Sequence, residues 1–222
     1  MKYLIITKRI WDKKNFLKLN KNVLVIKSLK KKKIDSLKPK IIFFIHWSKI
    51  IEEYFFKNYL CIQFHASNLP MGRGGSPIQN QIIRGVKKTK ISAFKIDKNL
   101  DHGPICLKKN FSLKGNLSNI LKRMEKTCVT MIKQIIKNKK LKFHKQKGKI
   151  SFYKRRKKND SAIFFQNLKN LNDCYDFIRM LDANDYPNAY VDNNKFRFSF
   201  KNVKRYKNYL TAETKIYINE KK

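Results

Sequence analysis

A chain of 222 residues fits one ordinary domain and a small appendage at about 150 residues per domain, which excludes a multidomain assembly. Apolar residues make up 42% of it and aromatics 13%, enough for a buried core, so general disorder is excluded as well. Against 15 Asp and Glu stand 53 Lys and Arg, a net charge of +38, which raises a polyanion as partner. Only nine of the 53 are Arg, and the lysines run from end to end as translation of an AT-rich genome would spread them. That is the pattern of solvated faces more than of a binding stripe.

The four cysteines, Cys61, Cys106, Cys128 and Cys174, form no C-x-x-C pair, and no secretory pattern follows Met1, so a reduced, cytoplasmic setting is expected. The longest apolar run, Ile41 to Ile45 reaching on to Trp47, falls far short of the roughly 20 residues of a membrane span, and no membrane partner is expected.

In chain order, Tyr3–Ile6, Val23–Ile26 and Ile41–Ile45 are short β-branched or aromatic runs without strict alternation, the pattern of parallel strands buried on both faces. Trp11–Leu19 and Ile34–Leu37 lie between them and suit short helices or turns, which makes this region a β/α alternation. Leu60–His65 is the fourth strand. A helix then opens with Ser76 as N-cap, Pro77 at the first helical position and Gln79 completing a Ser-x-x-Gln capping box, and Gly85 ends it. Lys90–Ile96 is a strand, followed by a loop through Asp101, Gly103 and Pro104.

From Leu117 to Ile136 the residues Leu117, Ile120, Leu121, Met124, Cys128, Met131, Ile132, Ile135 and Ile136 keep to one helical stripe. Residues 141–160 are basic and nearly free of apolar periodicity, with a dense cluster at Lys154–Lys158, and read as a linker. It separates a catalytic domain at 1–140 from a small subdomain at 161–222. The subdomain begins with a helix near Leu171–Leu181 and ends in strands, where Phe196, Phe198 and Phe200 alternate with Lys195, Arg197 and Ser199 after a turn at Asp192-Asn193-Asn194. The fold class is α/β with a mostly parallel sheet, plus a small α+β C-terminal subdomain.

Seven glycines, with no G-x-G-x-x-G and no Walker A motif, leave little room for a dinucleotide fingerprint. The informative residues are Gln63 and His65, two apart on one strand and therefore on one face of it, at the C-terminal end where open α/β sheets form their crevice. Asp101, on the loop after the next strand, is placed to reach that imidazole. An amide, an imidazole and a carboxylate suit acyl transfer to a weak nucleophile: Gln63 for the oxyanion, His65 for the proton, Asp101 to tune His65. A structural histidine at a strand end is the competing reading. His46, His102 and His144 have no partner spacing for zinc, so no metal site is expected.

The run Ile41 to Cys106 resembles the folate-dependent formyltransferase family, which includes methionyl-tRNA formyltransferase and the sugar-nucleotide N-formyltransferases. The family's Asn-x-His-x-Ser-x-Leu-Pro, Arg-Gly-x-x-Pro and Leu-Asp-x-Gly motifs correspond in order to Gln63-x-His65-x-Ser67-x-Leu69-Pro70, Arg73-Gly74-x-x-Pro77 and Leu100-Asp101-x-Gly103, in a stretch of about a third of the chain. The resemblance implies a Rossmann-like formyltransferase fold, His65 and Asp101 as catalytic residues, and 10-formyltetrahydrofolate as co-substrate. The family's Asn falls on Gln63, whose amide sits one methylene further out. Either Gln63 reaches the oxyanion by another rotamer or another group, such as Asn80, replaces it. By the same resemblance His46, Trp47, Ile50, Asp97 and Leu100 hold the folate; Trp47, an aromatic after an apolar strand, reads equally well as core.

About 60 residues after the basic segment are fewer than the full C-terminal barrel of methionyl-tRNA formyltransferases. The Gly72–Asn80 and Phe177–Ala183 segments with Tyr186-Pro187 resemble the sugar enzymes more. The expectation is therefore N-formylation of the 4-amino group of a nucleotide-linked deoxysugar of surface-glycan biosynthesis, of pseudaminic or legionaminic type. Arg73, Gly74, Gly75, Ser76 and Gln79 form the substrate site, with Arg73 near a helix N-terminus suited to a diphosphate; Arg73 as a structural cap is the alternative. The partners expected are folate and the nucleotide sugar, and a homodimer is compatible with the sequence. Two other functions remain: methionyl-tRNA formyltransferase, with tRNA as partner, and a non-catalytic basic relative that binds RNA or another polyanion. The Lys154–Lys158 cluster faces tRNA phosphates, the pyrophosphate or only water.

Overall fold

The computed structural model describes residues 2–10, 14–17, 19, 21–184 and 186–219. They fall into two units, each drawn from separate stretches of chain: 1–77, 89–111 and 121–153 in the first, 78–88, 112–120 and 154–222 in the second.

In chain order the first elements are β1 (Tyr3–Ile6), α1 (Lys14–Leu17), β2 (Val23–Ile26), α2 (Lys31–Leu37), β3 (Ile41–Phe44), α3 (Glu53–Asn58), β4 (Leu60–His65), β5 (Arg73–Gly74), α4 (Pro77–Ile82), β6 (Lys88–Lys95), β7 (Ile105–Ser112) and α5 (Leu117–Lys137). The helix expected at Trp11–Leu19 is described only as α1; Trp11, Asp12, Lys13 and Lys18 lie outside the described residues.

The first unit carries a six-stranded sheet in the order β2-β1-β3-β4-β6-β7. β1 pairs in parallel with β2 and β3, and β3 with β4, whereas β4 and β6 run antiparallel. Consecutive apolar residues make this possible: Leu4, Ile5 and Ile6, like Ile41 to Phe44, are all buried, so both faces of these strands are covered. On one face Leu4, Ile6, Ile42, Phe44 and Cys61 cluster with Ile34 and Phe55. β7 was hidden in the sequence by the turn residues before it and by Lys108 and Lys109 within it, charges that suit an edge strand.

The expected helix after residue 76 forms as α4, with Pro77 first. Ser76 has φ +48, not the extended backbone that an N-cap residue ordinarily adopts. Gly85 (φ +72) ends the helical segment as a Schellman motif, its N–H donating to Ile82 O at 2.8 Å while Val86 N–H donates to Gln81 O at 3.0 Å. α5 matches its predicted stripe, with Leu117, Ile120, Met124, Cys128, Met131 and Ile135 buried.

The segment expected as a linker at 141–160 is built into the two units. His144 and Ile105 exchange backbone hydrogen bonds of 2.8 and 2.9 Å, and β8 (Phe152–Tyr153) pairs in parallel with β5. The polar side chains that made it look unstructured spend their hydrogen bonds on backbone distant in sequence, which periodicity does not register. The remaining elements belong to the second unit: α6 (Leu171–Arg179), β9 (Ala189–Asn193), β10 (Phe196–Arg205) and β11 (Leu210–Ile218). The three strands form an antiparallel sheet in the order β11-β10-β9. Asn170 caps α6 by accepting from the N–H groups of Asn172 and Asp173.

No helix among the described residues is long and apolar enough to cross a membrane.

Candidate active site

β4 ends in the imidazole of His65, which is 5% exposed, and alternation along the strand puts Gln63 on the same face. His65 Nε2 lies 2.7 Å from the carbonyl oxygen of Gly72. A carbonyl only accepts, so this contact places a proton on Nε2 and leaves Nδ1 as the basic nitrogen. Nδ1 stands 3.5 Å from Asp101 Oδ2. Gln63 is half-buried, and its amide has no hydrogen-bond partner among the described residues.

The loop after His65 is tied down at every turn. Ser67 Oγ donates to Gly72 O at 3.1 Å, Ser92 Oγ donates to Ser67 O at 2.7 Å, and Lys108 Nζ donates to Asn68 Oδ1 at 2.8 Å and to Leu69 O at 2.5 Å. Burial lowers the pKa of Lys108, and the nearby charge of Lys90 adds to it. The Leu69-Pro70 peptide is cis.

Asp101 is buried, with φ +49. Its carboxylate accepts the Gly74 N–H at 2.8 Å through the same Oδ2 that faces His65. Its backbone carbonyl accepts from Gln146 Nε2 at 2.8 Å, and so does that of Gly103 at 2.9 Å. Gly103 has room for no side chain, because a Cβ there would lie 1.7 Å from Lys95 O.

The structure thus joins His65, Asp101 and the Arg73-Gly74 strand. Arg73 itself is buried, with Nε and Nη2 donating to Gln146 Oε1 at 3.2 and 2.8 Å; of its two readings, this geometry is that of a structural tie. Gly75 donates its N–H to Tyr153 O. Gln79 belongs to the second unit, where it is buried, and Asn80 there donates to Lys154 O at 2.9 Å and accepts from Arg84 at 3.0 Å. The Asn80 amide is therefore engaged. Sequence reasoning missed Gln146, Ser151 and Tyr153, whose only local signal was a short Ser-Phe-Tyr patch in a basic stretch.

Among the expected folate residues, Ile50 and Leu100 are 94% and 66% exposed. Trp47 packs edge-on to Phe44 at 5.9 Å, as a core aromatic does. His46 is half-buried, but its Nε2 is sealed from solvent, and burial with the charge of Arg9 lowers its pKa to about 4. Asp97 pairs with His102 at 2.9 Å and lines a cleft of about 470 Å³ with Phe56, Lys95, Ile96 and Asn99.

Residues 6–138 match the family model described as formyl transferase. The chain belongs to the formyl transferase family. As a formyl transferase it also matches, over residues 158–217, the model described as the methionyl-tRNA formyltransferase C-terminal domain. It is 33% identical over 153 residues to a methionyl-tRNA formyltransferase from Thermosipho melanesiensis, covering 67% of this chain and 47% of that one. The chain spans about half the length of such relatives. The solved structure of a methionyl-tRNA formyltransferase from Clostridium thermocellum superposes with a TM-score of 0.92 at 36% identity, over 99% of this chain and 100% of the other. A 4-N formyltransferase from Francisella tularensis reaches only 0.66 at 20% identity, over 86% and 92%, a likeness of fold alone.

These comparisons overturn the expectation of an amino-sugar formyltransferase of surface-glycan biosynthesis. The C-terminal residues that suggested it are scaffold: Arg179 Nη1 donates to Leu113 O and Gly115 O at 2.6 and 2.7 Å, and Asp182 accepts from Asn116 and from the Asn202 N–H at 3.2 and 3.0 Å. Buried side chains that tie one backbone to another carry no record of the substrate.

Proposed function

We propose that this formyl transferase is a methionyl-tRNA formyltransferase, moving the formyl group of 10-formyltetrahydrofolate to the amino group of methionyl-tRNA. The observation that carries this reading is the 0.92 superposition on a methionyl-tRNA formyltransferase across nearly the whole of both chains. The matching C-terminal domain at 158–217 supports it.

In this reading the neutral amine attacks the formyl carbon, a C–N bond forms and the carbonyl oxygen becomes an oxyanion. The Gln63 amide, which has no competing partner among the described residues, donates to that oxyanion. His65 takes the proton released by the amine at Nδ1, and the Asp101 carboxylate beside it balances the imidazolium. Breakage of the bond between carbon and folate N10 then returns the carbonyl, and the proton passes to N10. Gly72 O and Gly74 N–H, held by their own hydrogen bonds, keep the imidazole and the carboxylate in this orientation.

Lys154, Arg155, Lys157 and Lys158 are exposed and are the first candidates for tRNA phosphates. Arg156 turns inward over the Phe177 ring at 5.5 Å.

The test is mass spectrometry after incubating the protein and 10-formyltetrahydrofolate with methionyl-tRNA in one tube and a nucleotide-linked 4-amino sugar in another. Formyl-methionyl-tRNA alone is the expected product. Formylation of the sugar alone, or of neither substrate, overturns the reading.

A further inference from the structure

We infer that Gln146 is a positioning residue for Asp101: its side-chain amide locks the turn that holds the carboxylate beside His65. The inference rests on the formyl-transfer reading above, and Gln146 lies outside all three motifs on which the family resemblance was drawn.

The hydrogen bonds permit one orientation of this amide. Nε2 donates both protons, to Asp101 O at 2.8 Å and Gly103 O at 2.9 Å, while Oε1 accepts from the guanidinium of Arg73. Flipped, it would set an oxygen against two carbonyls and an NH₂ against a cation. Arg73 is itself anchored, because its N–H donates to Ser151 O at 2.9 Å and its strand pairs with β8.

Asp101 needs such a hold. Its left-handed backbone, φ +49, is tolerated by Asp but persists only where the surroundings impose it. Two contacts impose it here: Gln146 on the Asp101 carbonyl and Gly74 N–H on its carboxylate. Both trace back to one short strand, since Arg73 orients Gln146 and Gly74 is the next residue. Without the Gln146 donor the 101–103 turn is free to relax, and Oδ2 leaves its place near Nδ1.

Gln146→Glu separates this role from simple capping of Arg73. It keeps the volume and strengthens the contact to Arg73, but sets an oxygen against the Asp101 and Gly103 carbonyls. Gln146→Met, of similar length, removes both sets of bonds and serves if the first variant does not fold. The expected result for either is a 10- to 100-fold fall in kcat, with KM for both substrates within about twofold. In an Asp101→Asn background the same change should cost almost nothing further, as for residues acting through one another.

The ring ¹⁵N resonances of His65 provide a readout independent of turnover: either variant should move them as Asp101→Asn does. Unchanged His65 resonances, or kinetic losses that add to those of Asp101→Asn, overturn the positioning role. Shifted resonances in a protein that formylates no methionyl-tRNA overturn the proposed function and leave the positioning role standing.

Discussion

Replacing Gly103 by Ala tests how tightly the Asp101 turn is seated. The new Cβ would stand 1.7 Å from Lys95 O and 2.9 Å from Lys95 C, whereas real Cβ atoms stay beyond 3.0 Å. Lys95 lies at the end of β6, an inner strand between β4 and β7, so the turn and not the sheet must retreat, by more than an ångström. That retreat breaks the 2.9 Å bond from Gln146 to Gly103 O, strains the 2.9 Å bond from Lys95 N to Pro104 O, and carries Asp101 away from His65. Overpacking together with one or two broken hydrogen bonds costs about 2–4 kcal/mol of stability. A misplacement of about 1 Å in a catalytic group costs on the order of 10²-fold in rate. Urea denaturation and formylation of methionyl-tRNA measure the two effects separately. A variant within about 0.5 kcal/mol of the parent and with its turnover would refute the account of the turn.

Gln63→Leu should lower kcat by about 10²–10³-fold if Gln63 is the oxyanion donor, with little change in the urea midpoint, because its amide has no partner among the described residues to lose; unchanged turnover would remove Gln63 from the mechanism. His46, with its pKa lowered to about 4 from the usual 6.5, is neutral in the folded chain while the unfolded chain binds a proton below pH 6.5. Stability should therefore fall by roughly 3 kcal/mol as pH drops from about 7 to 4. In His46→Asn, which tolerates the φ of +50 at this position, that part of the slope should vanish from urea melts taken across the range. Changing Lys154, Arg155, Lys157 and Lys158 to Gln should weaken binding of methionyl-tRNA and flatten its salt dependence by up to about 0.9 in log–log slope for each phosphate that is no longer neutralised. A slope unchanged in filter binding would assign these side chains to solvent.

Much of the architecture is written locally. Ile41 to Phe44 is apolar at every position, and only a strand covered on both faces uses four such residues in a row. The stripe of α5 and the Gly85 stop declare themselves within a few residues, because helical period and left-handed turns are properties of short segments. The Gln63-x-His65 spacing likewise determines that two polar side chains share one face of a strand. The linear motifs also carry the formyl transferase family.

What local pattern does not contain is partnership between distant residues. Gln146 reaches Asp101, 45 positions away, from a stretch with no periodicity, and β8 pairs with β5 across 79 positions; their hydrogen bonds obey geometry that exists only after the chain has closed on itself. Arg73 was legible as a cation but not as a buried tie, since charge is a property of the residue and burial one of its surroundings. The same limit led the C-terminal residues Arg179 and Asp182 to be read as marks of a sugar substrate when they fasten backbone to backbone. The sequence alone determined the apolar strands β1 to β4, the stripe of α5 and the place of His65 on its strand; tertiary structure decided where β7 and β8 join their sheets and which polar side chains are spent on holding the fold.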